Sequence, residues 1–353
     1  MKKLVVILML VIVAVSPATL FSASDYSALV SVYNQRSDLQ VAFDSVTHRA
    51  VPKTAAGFLL DLEDWARQYG WQEHEELKVF GPGLYDAVAN RVDLREIEDQ
   101  IGSEAYIVMD KSTGKILTVK RENLQWPIAS LTKLITADVV LEEGVMLNAS
   151  HEVRNYDNVG GARLWVSDKD TFSVNDLFYA TLVASANNAA NALSRTTQLP
   201  REEFLSQMNQ RASDLNLIKT KFVDPTGIEV GNVSTPREFA RLARRIFLRK
   251  EIQRYTTTAQ REIYVQNRGT SKLMKNTNWM LYKSQYDDLY VTGSKTGFLY
   301  ESGWNLVTTI RPSEIDKDRE LLIVLFGAKS RSGSFEDTKR LANWAWDVYE
   351  WVK

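Results

Sequence analysis

The spacing of apolar positions changes along the chain, and each change predicts a different kind of element. Lys2 and Lys3 precede an unbroken run of 12 apolar residues, Leu4 to Val15. Phe58, Leu59, Leu62, Trp65, Ala66 and Tyr69 then share one face of a helix that Gly70 stops, and Phe80-Gly81-Pro82-Gly83 reads as a turn. From Glu104 the pattern shortens to strands, Ala105 to Met109 and Ile116 to Lys120, joined by a Ser112-Thr113-Gly114 turn. Leu131, Leu134, Ile135, Val139 and Val140 return to helical spacing until Gly144, and Pro127 with the small Ala129 suits the start of that helix.

Further on, Ser173 with Asp176 forms a capping pair that predicts a helix from Asp176 to Ala184. Ser185-Ala186-Asn187-Asn188 interrupts it, because serine and asparagine side chains compete for backbone hydrogen bonds, and the helical stretch resumes to Arg195. Arg201 to Leu217 is amphipathic. Phe222 to Gly227 is an extended piece closed by a turn, and Thr235-Pro236-Arg237-Glu238 is a capping box opening a helix to about Leu248. Strands are predicted at Leu289 to Thr292, Trp304 to Ile310 and Leu321 to Gly327. A final helix is predicted from about Phe335 to Trp351, its stripe of Leu341, Trp344, Ala345, Val348, Tyr349 and Trp351 packing on the sheet.

Composition narrows the chemistry. The 353 residues carry a net charge of -1 and a pI near 6.4, which gives no reason to expect a nucleic-acid partner. Cysteine is absent, so disulfides and a catalytic thiol are excluded. Only His48, His74 and His151 offer imidazoles, and none pair at metal-ligand spacing; no metal or cofactor is expected, nor a serine–histidine triad. The leading basic and apolar run, with Ser16-Pro17-Ala18 behind it, has the form of an export signal over residues 1–23 and is short for a membrane span. Residues 24–99 then read as a mainly helical extension and 100–353 as the principal domain.

Candidate chemistry lies in three short stretches. Ser130 and Lys133, three apart at the start of a helix, are a nucleophile and a base that can reach it. A solvated lysine, with a pKa of about 10.4, is protonated at neutral pH, so the pair requires burial or a second cation to free the amine. Ser112 and Lys115 have the same spacing but sit on the predicted hairpin and open no helix. Ser185 and Asn187 are presented together where the helix breaks, although Asn187 or Asn188 would also serve as a helix cap. Ser173-Val174-Asn175 repeats that pattern and is accounted for by capping. Lys295-Thr296-Gly297 follows a strand; the lysine brings charge, the threonine a hydroxyl, and the glycine admits a close backbone.

Together the three motifs, Ser-x-x-Lys at 130, Ser-x-Asn at 185 and Lys-Thr-Gly at 295, form the set characteristic of penicillin-binding proteins and serine beta-lactamases. The sequence resembles the low-molecular-mass penicillin-binding proteins, the serine D-alanyl-D-alanine carboxypeptidases and endopeptidases of peptidoglycan. The likeness runs from Glu104 to the C-terminus and includes Pro127 to Leu134, Phe222 to Gly227, Asn232 to Thr235 and Asn276-Thr277-Asn278.

That resemblance implies an α/β (α+β) fold of the beta-lactamase and DD-peptidase kind: an antiparallel sheet flanked by helices, with a helical subdomain inserted between the Ser130 helix and the Lys295 strand. It implies that Ser130 is acylated, Lys133 takes its proton and Ser185 relays a proton to the leaving amine. Asn187 holds a substrate amide, Lys295 and Thr296 the terminal carboxylate, and the amides of Ser130 and Phe298 the oxyanion. Peptidoglycan stem peptides are the implied partners and beta-lactams the acylating inhibitors. Family members anchored through a C-terminal amphipathic helix carry an extra beta-rich domain; this chain ends at the predicted last helix, which favours the soluble endopeptidase branch, with no stable membrane anchor and a periplasmic or other extracytoplasmic site. Ala186 stands where many members have Gly or Asp. Two other readings stay open: a beta-lactamase, which requires a second base for deacylation, and an idle wall-binding protein of the same fold.

Overall fold

The computed structural model describes residues 50–52 and 97–351. The export signal at 1–23, the helix through Phe58 and Tyr69 and the turn at Phe80 to Gly83 lie outside the described residues. Residues 102–342 form one compact unit, and the described residues up to 101 and from 343 onward belong to another.

The larger unit is built on a five-stranded sheet. Its strands are β1 (Ala105–Asp110), β2 (Ile116–Lys120), β3 (Tyr290–Leu299), β4 (Gly303–Arg311) and β5 (Leu321–Ala328). They lie in the order β3-β4-β5-β1-β2, every neighbour antiparallel. All residues of β1 and β5 are buried, and such continuous apolar strands stay out of water only when both faces of the sheet are covered. The chain is thus an α/β protein of antiparallel sheet and helices, as its sequence leads one to expect.

Between β2 and β3 the chain leaves the sheet and makes six helices: α1 (Lys133–Glu142), α2 (Val174–Leu182), α3 (Asn187–Arg195), α4 (Arg201–Asp214), α5 (Pro236–Ile246) and α6 (Lys250–Thr257). Capping fixes two of their starts. The Ser173 hydroxyl accepts from the Asp176 amide before α2, and the Thr235 hydroxyl from the Glu238 amide before α5, where Pro236 occupies the first helical position. Helix α5 packs on β5 and β1, with Phe239 edge-on to Phe326 at 6.2 Å, and α6 lies against β3. Three small antiparallel pairs complete this segment: Trp126–Pro127 with Val233–Ser234, Ser150–Val153 with Asp170–Ser173, and Gln260–Val265 with Thr270–Lys275.

Two expectations change. Ser130 stands not in the first turn of the long helix but in a separate 3-10 turn, Ala129–Thr132, that leads into α1 at Lys133. The last helix, α7, begins earlier than predicted and ends earlier, at Arg331–Val348. The final aromatic residues instead form a strand, Tyr349–Trp351, paired antiparallel with Ala50–Pro52. A partner nearly 300 residues away in sequence overrides the helical periodicity of Tyr349 and Trp351.

Candidate active site

The backbone ahead of Ser130 is tied down on two sides. The Ile128 amide donates to the Asn232 carbonyl at 2.9 Å, and the Asn305 side-chain amide donates to the Pro127 carbonyl at 2.9 Å. Ala129 then adopts a left-handed conformation, φ 52°, which costs an alanine roughly 1–2 kcal/mol and persists only where its surroundings impose it. They do so here: the Thr132 hydroxyl donates back to the Ala129 carbonyl at 2.8 Å. Gly227 comes so close that a Cβ there would stand 1.9 Å from that same carbonyl oxygen. Ser130 follows at the N-terminal end of the helical run, where unpaired amides and the helix dipole favour negative charge.

Lys133 is fully buried beneath it. Its Nζ lies 2.8 Å from Ser130 Oγ, 2.7 Å from Asn187 Oδ1 and 2.5 Å from the Thr226 carbonyl oxygen. A neutral amine in this position donates to Asn187 and Thr226 and keeps its lone pair for the Ser130 proton. Burial lowers its pKa to about 7, against the opposing pull of the Asp224 carboxylate.

The second motif supplies the facing wall. Helix α2 ends at Leu182, Ser185 takes φ 59°, and α3 begins at Asn187 with Ala186 as its cap residue. Asn187 is therefore not spent on capping. Its side chain accepts from Lys133 and donates to the Gly160 carbonyl at 2.8 Å, while its backbone amide donates to Ala162 at 2.7 Å.

The third motif lies on β3. Lys295 Nζ reaches Ser185 Oγ at 2.8 Å and donates to the Thr296 carbonyl at 2.7 Å. The Thr296 hydroxyl donates to that of Thr277 at 2.6 Å. A Cβ on Gly297 would meet the Ile128 carbonyl oxygen at 2.8 Å and the Ser130 nitrogen at 3.2 Å, so only glycine lets β3 lie against the nucleophile's turn. The Phe298 ring packs on Trp304 at 4.4 Å and is partly exposed. Burial first, then the charges of Lys133 and Arg331, drive the Lys295 pKa well down. The Ser130–Lys133 spacing by itself calls for burial or a second cation to depress Lys133. Burial is the principal cause for both lysines, and the repulsion is registered at Lys295.

The eight residues singled out in the sequence thus converge from three segments on one cleft. A family model described as D-alanyl-D-alanine carboxypeptidase, peptidase S11, matches residues 92–330. The chain belongs to that family. This S11 peptidase is 32% identical over 207 residues to a D-alanyl-D-alanine endopeptidase of Haemophilus influenzae, a match covering 58% of this chain and 69% of the relative. It is 29% identical over 252 residues to the D-alanyl-D-alanine endopeptidase of Pseudomonas aeruginosa, covering 70% of this chain and 78% of the relative. Its fold superimposes with TM-score 0.60 and 26% identity on penicillin-binding protein D2 of Listeria monocytogenes, solved in an ampicillin-bound form, covering 70% of this chain and 98% of that one. The protein is accordingly a serine-type D-alanyl-D-alanine carboxypeptidase/endopeptidase, a hydrolase of peptidoglycan peptide bonds.

Four further residues of the S11 site escaped motif reading. Asp224 organises the loop that presents the Thr226 carbonyl to Lys133: its carboxylate accepts from the Thr226 amide and hydroxyl, each at 2.6 Å, from the Gly227 amide at 2.9 Å, from the Glu229 amide at 3.0 Å and from Asn232. Burial alone would raise its pKa, but these hydrogen bonds outweigh burial and hold the carboxyl below its ordinary value. Thr277 and Arg331 flank the Lys295 end. The Arg331 guanidinium donates to the Thr277 carbonyl at 2.6 Å and lies 4.8 Å from the Trp279 ring. The only hint was that Phe222 to Gly227 and Asn276 to Asn278 resemble family segments; nothing marked Arg331. Among the described residues no group of His, Asp and Glu could hold a metal ion, and no helix is long and apolar enough to cross a membrane.

Proposed function

We propose that the chain is an exported, penicillin-sensitive endopeptidase that cuts cross-links between stem peptides, with Ser130 as nucleophile and Lys133 as its base. The observation that carries this reading is the pair of short contacts at one cleft, Lys133 Nζ to Ser130 Oγ and Lys295 Nζ to Ser185 Oγ, both 2.8 Å. The names of the relatives from Haemophilus influenzae and Pseudomonas aeruginosa support the endopeptidase branch, and the apolar run at Leu4 to Val15 supports export.

Each proton in the cycle has a donor and an acceptor. Ser130 Oγ bonds to the D-alanyl carbonyl carbon as its proton passes to the Lys133 amine, and the Ser130 and Phe298 amides hold the oxyanion. The C–N bond breaks as Ser185 gives its proton to the departing nitrogen and takes one from Lys295. That transfer needs a protonated Lys295 at the moment of binding. A substrate carboxylate arriving between Lys295 and Thr296 supplies the counter-charge that raises the lysine's pKa. In deacylation, water bonds to the acyl carbon and returns a proton to Lys295 through Ser185, while Ser130 leaves with the proton held by Lys133.

Digestion of purified peptidoglycan tests the branch. Monomeric muropeptides released from dimers are the expected product; release of free D-alanine without loss of dimers assigns the chain to the carboxypeptidase side. Turnover of a penicillin faster than of a D-Ala-D-Ala peptide would make it a beta-lactamase. Failure of the folded protein to bind fluorescent penicillin covalently would leave only the wall-binding reading.

A further inference from the structure

Beside the catalytic cleft, on residues that none of the three motifs includes, the chain carries a second recess. Residues 160–164 run along the start of α3, bonded to it at consecutive positions. Asn187 pairs with the Gly160 and Ala162 carbonyls, and the Asn188 side chain closes a two-way bond with Leu164, accepting from its amide and donating to its carbonyl, each at 2.8 Å. On this strip lies an open groove of about 260 Å³ whose walls include Asn188, Arg154, Asn158, Arg163 and Trp165. Asn187 therefore borders the nucleophile's cleft, and the next residue borders the groove.

The charges in the groove are unequal. Arg154 is already occupied: its guanidinium lies 2.5 Å from Glu152 and 3.7 Å from Asp168, whose carboxylate also accepts from the Asn155 amide at 2.8 Å. Arg163 has no carboxylate or hydrogen-bond acceptor among the described residues. What holds it is the face of Trp165, with the guanidinium carbon 3.7 Å from the ring centre. Stacking of this kind fixes the plane of an arginine and leaves its N–H edges pointing outward, the arrangement that recognises a planar anion in two-pronged fashion. Trp165 is itself 70% exposed, so the stacked pair projects into solvent without a partner of its own.

We infer that this groove is a subsite for a free carboxylate of the cross-linked stem peptide, with Arg163 as its donor and Trp165 as its support. The inference rests on the endopeptidase reading above, because a cross-linked substrate extends beyond the dipeptide that Ser130, Lys295 and Thr296 engage and carries carboxylates outside it. A penicillin or a short acyl-D-Ala-D-Ala peptide lacks that second strand and leaves the groove empty.

The test compares substrates that do and do not reach the groove, using the full chain. Arg163→Ala should lower kcat/KM on purified dimeric muropeptides by about tenfold, mainly through KM. The rate of covalent labelling by fluorescent penicillin should change less than about twofold. Arg163→Lys should recover part of the loss. Amidating only the dimer's carboxylates other than the one held by Lys295 and Thr296 should weaken wild-type cleavage by a similar factor and add little to the effect of Arg163→Ala, since both remove the same interaction. Equal losses on dimer and penicillin would make Arg163 a structural residue and overturn the inference, as would unchanged cleavage of the dimer or full additivity with amidation. A wild-type protein that is labelled by penicillin but ignores dimers would overturn both this inference and the endopeptidase reading. A wild-type protein that is not labelled would overturn the Ser130 mechanism.

Discussion

The cleft contains two serine–lysine pairs with the same 2.8 Å contact and different origins. Ser130 and Lys133 are three residues apart and meet because a helical turn brings them together; Ser185 and Lys295 are 110 apart and meet only when a broken helix and a sheet strand are folded against each other. Both lysines are buried and both are easier to deprotonate than a solvated lysine. Their surroundings then separate them. Burial lowers both; the Asp224 carboxylate opposes it at Lys133, whose pKa falls to about 7, whereas the charges of Lys133 and Arg331 add to it at Lys295. A lysine poised at neutral pH suits proton abstraction, and one whose charged form an arriving anion favours suits substrate-coupled proton delivery.

Breaking the pairs one at a time should show this division. Ser130→Ala should abolish hydrolysis and penicillin labelling together, a loss of about 10³-fold or more, while Ser112→Ala on the β1–β2 turn should leave both intact. Ser185→Ala keeps the nucleophile and removes the relay; labelling should persist at a rate about 10²–10³-fold lower, measured by stopped-time gel fluorescence. The pH profile sharpens the contrast further. Lys133 must be unprotonated to act, so the acylation rate should rise with pH through about 7 and fall on the acid side. Asp224→Asn removes the carboxylate that raises the Lys133 pKa, so the rise should move to lower pH even if the maximum rate drops. The smallest effect is expected from Arg331→Gln, which removes one of the charges that depress Lys295. Because proton delivery needs a charged Lys295, it should leave kcat/KM for a D-Ala-D-Ala peptide unchanged or raise it by up to about threefold, without moving the acid limb set by Lys133.

The same comparison explains what was legible in the sequence. Ser130 and Lys133 could be read because their meeting is a property of local backbone geometry. Even so, Ser112 and Lys115 have the identical spacing, and only the surrounding pattern distinguished them. In the structure the Ser112 hydroxyl donates to Asp110 at 2.7 Å within a tight turn. The strands of the sheet were legible because β1 and β5 are buried on both faces and read as continuous apolar runs. The Gln260–Val265 and Thr270–Lys275 hairpin was missed: only Ile263, Val265 and Met274 are buried in it, too few to show an alternating pattern. Asp224 lay in a segment that resembles the family but had no role assigned from the sequence, and Arg331 was silent, for a different reason. A lone Asp or Arg gains meaning from distant neighbours, and Arg331 finds its own at Thr277 and Trp279, more than 50 positions away.

The short ribbon made by Ala50–Pro52 and Tyr349–Trp351 limits how this protein can be trimmed. A fragment beginning at residue 104 retains the whole cleft but leaves the last strand without its mate. The bared row of amides and carbonyls, flanked by Tyr349 and Trp351, would then be open to pairing with another molecule's tail. Clumping of such a truncated product would thus reflect an orphaned edge and say nothing against the integrity of the serine site.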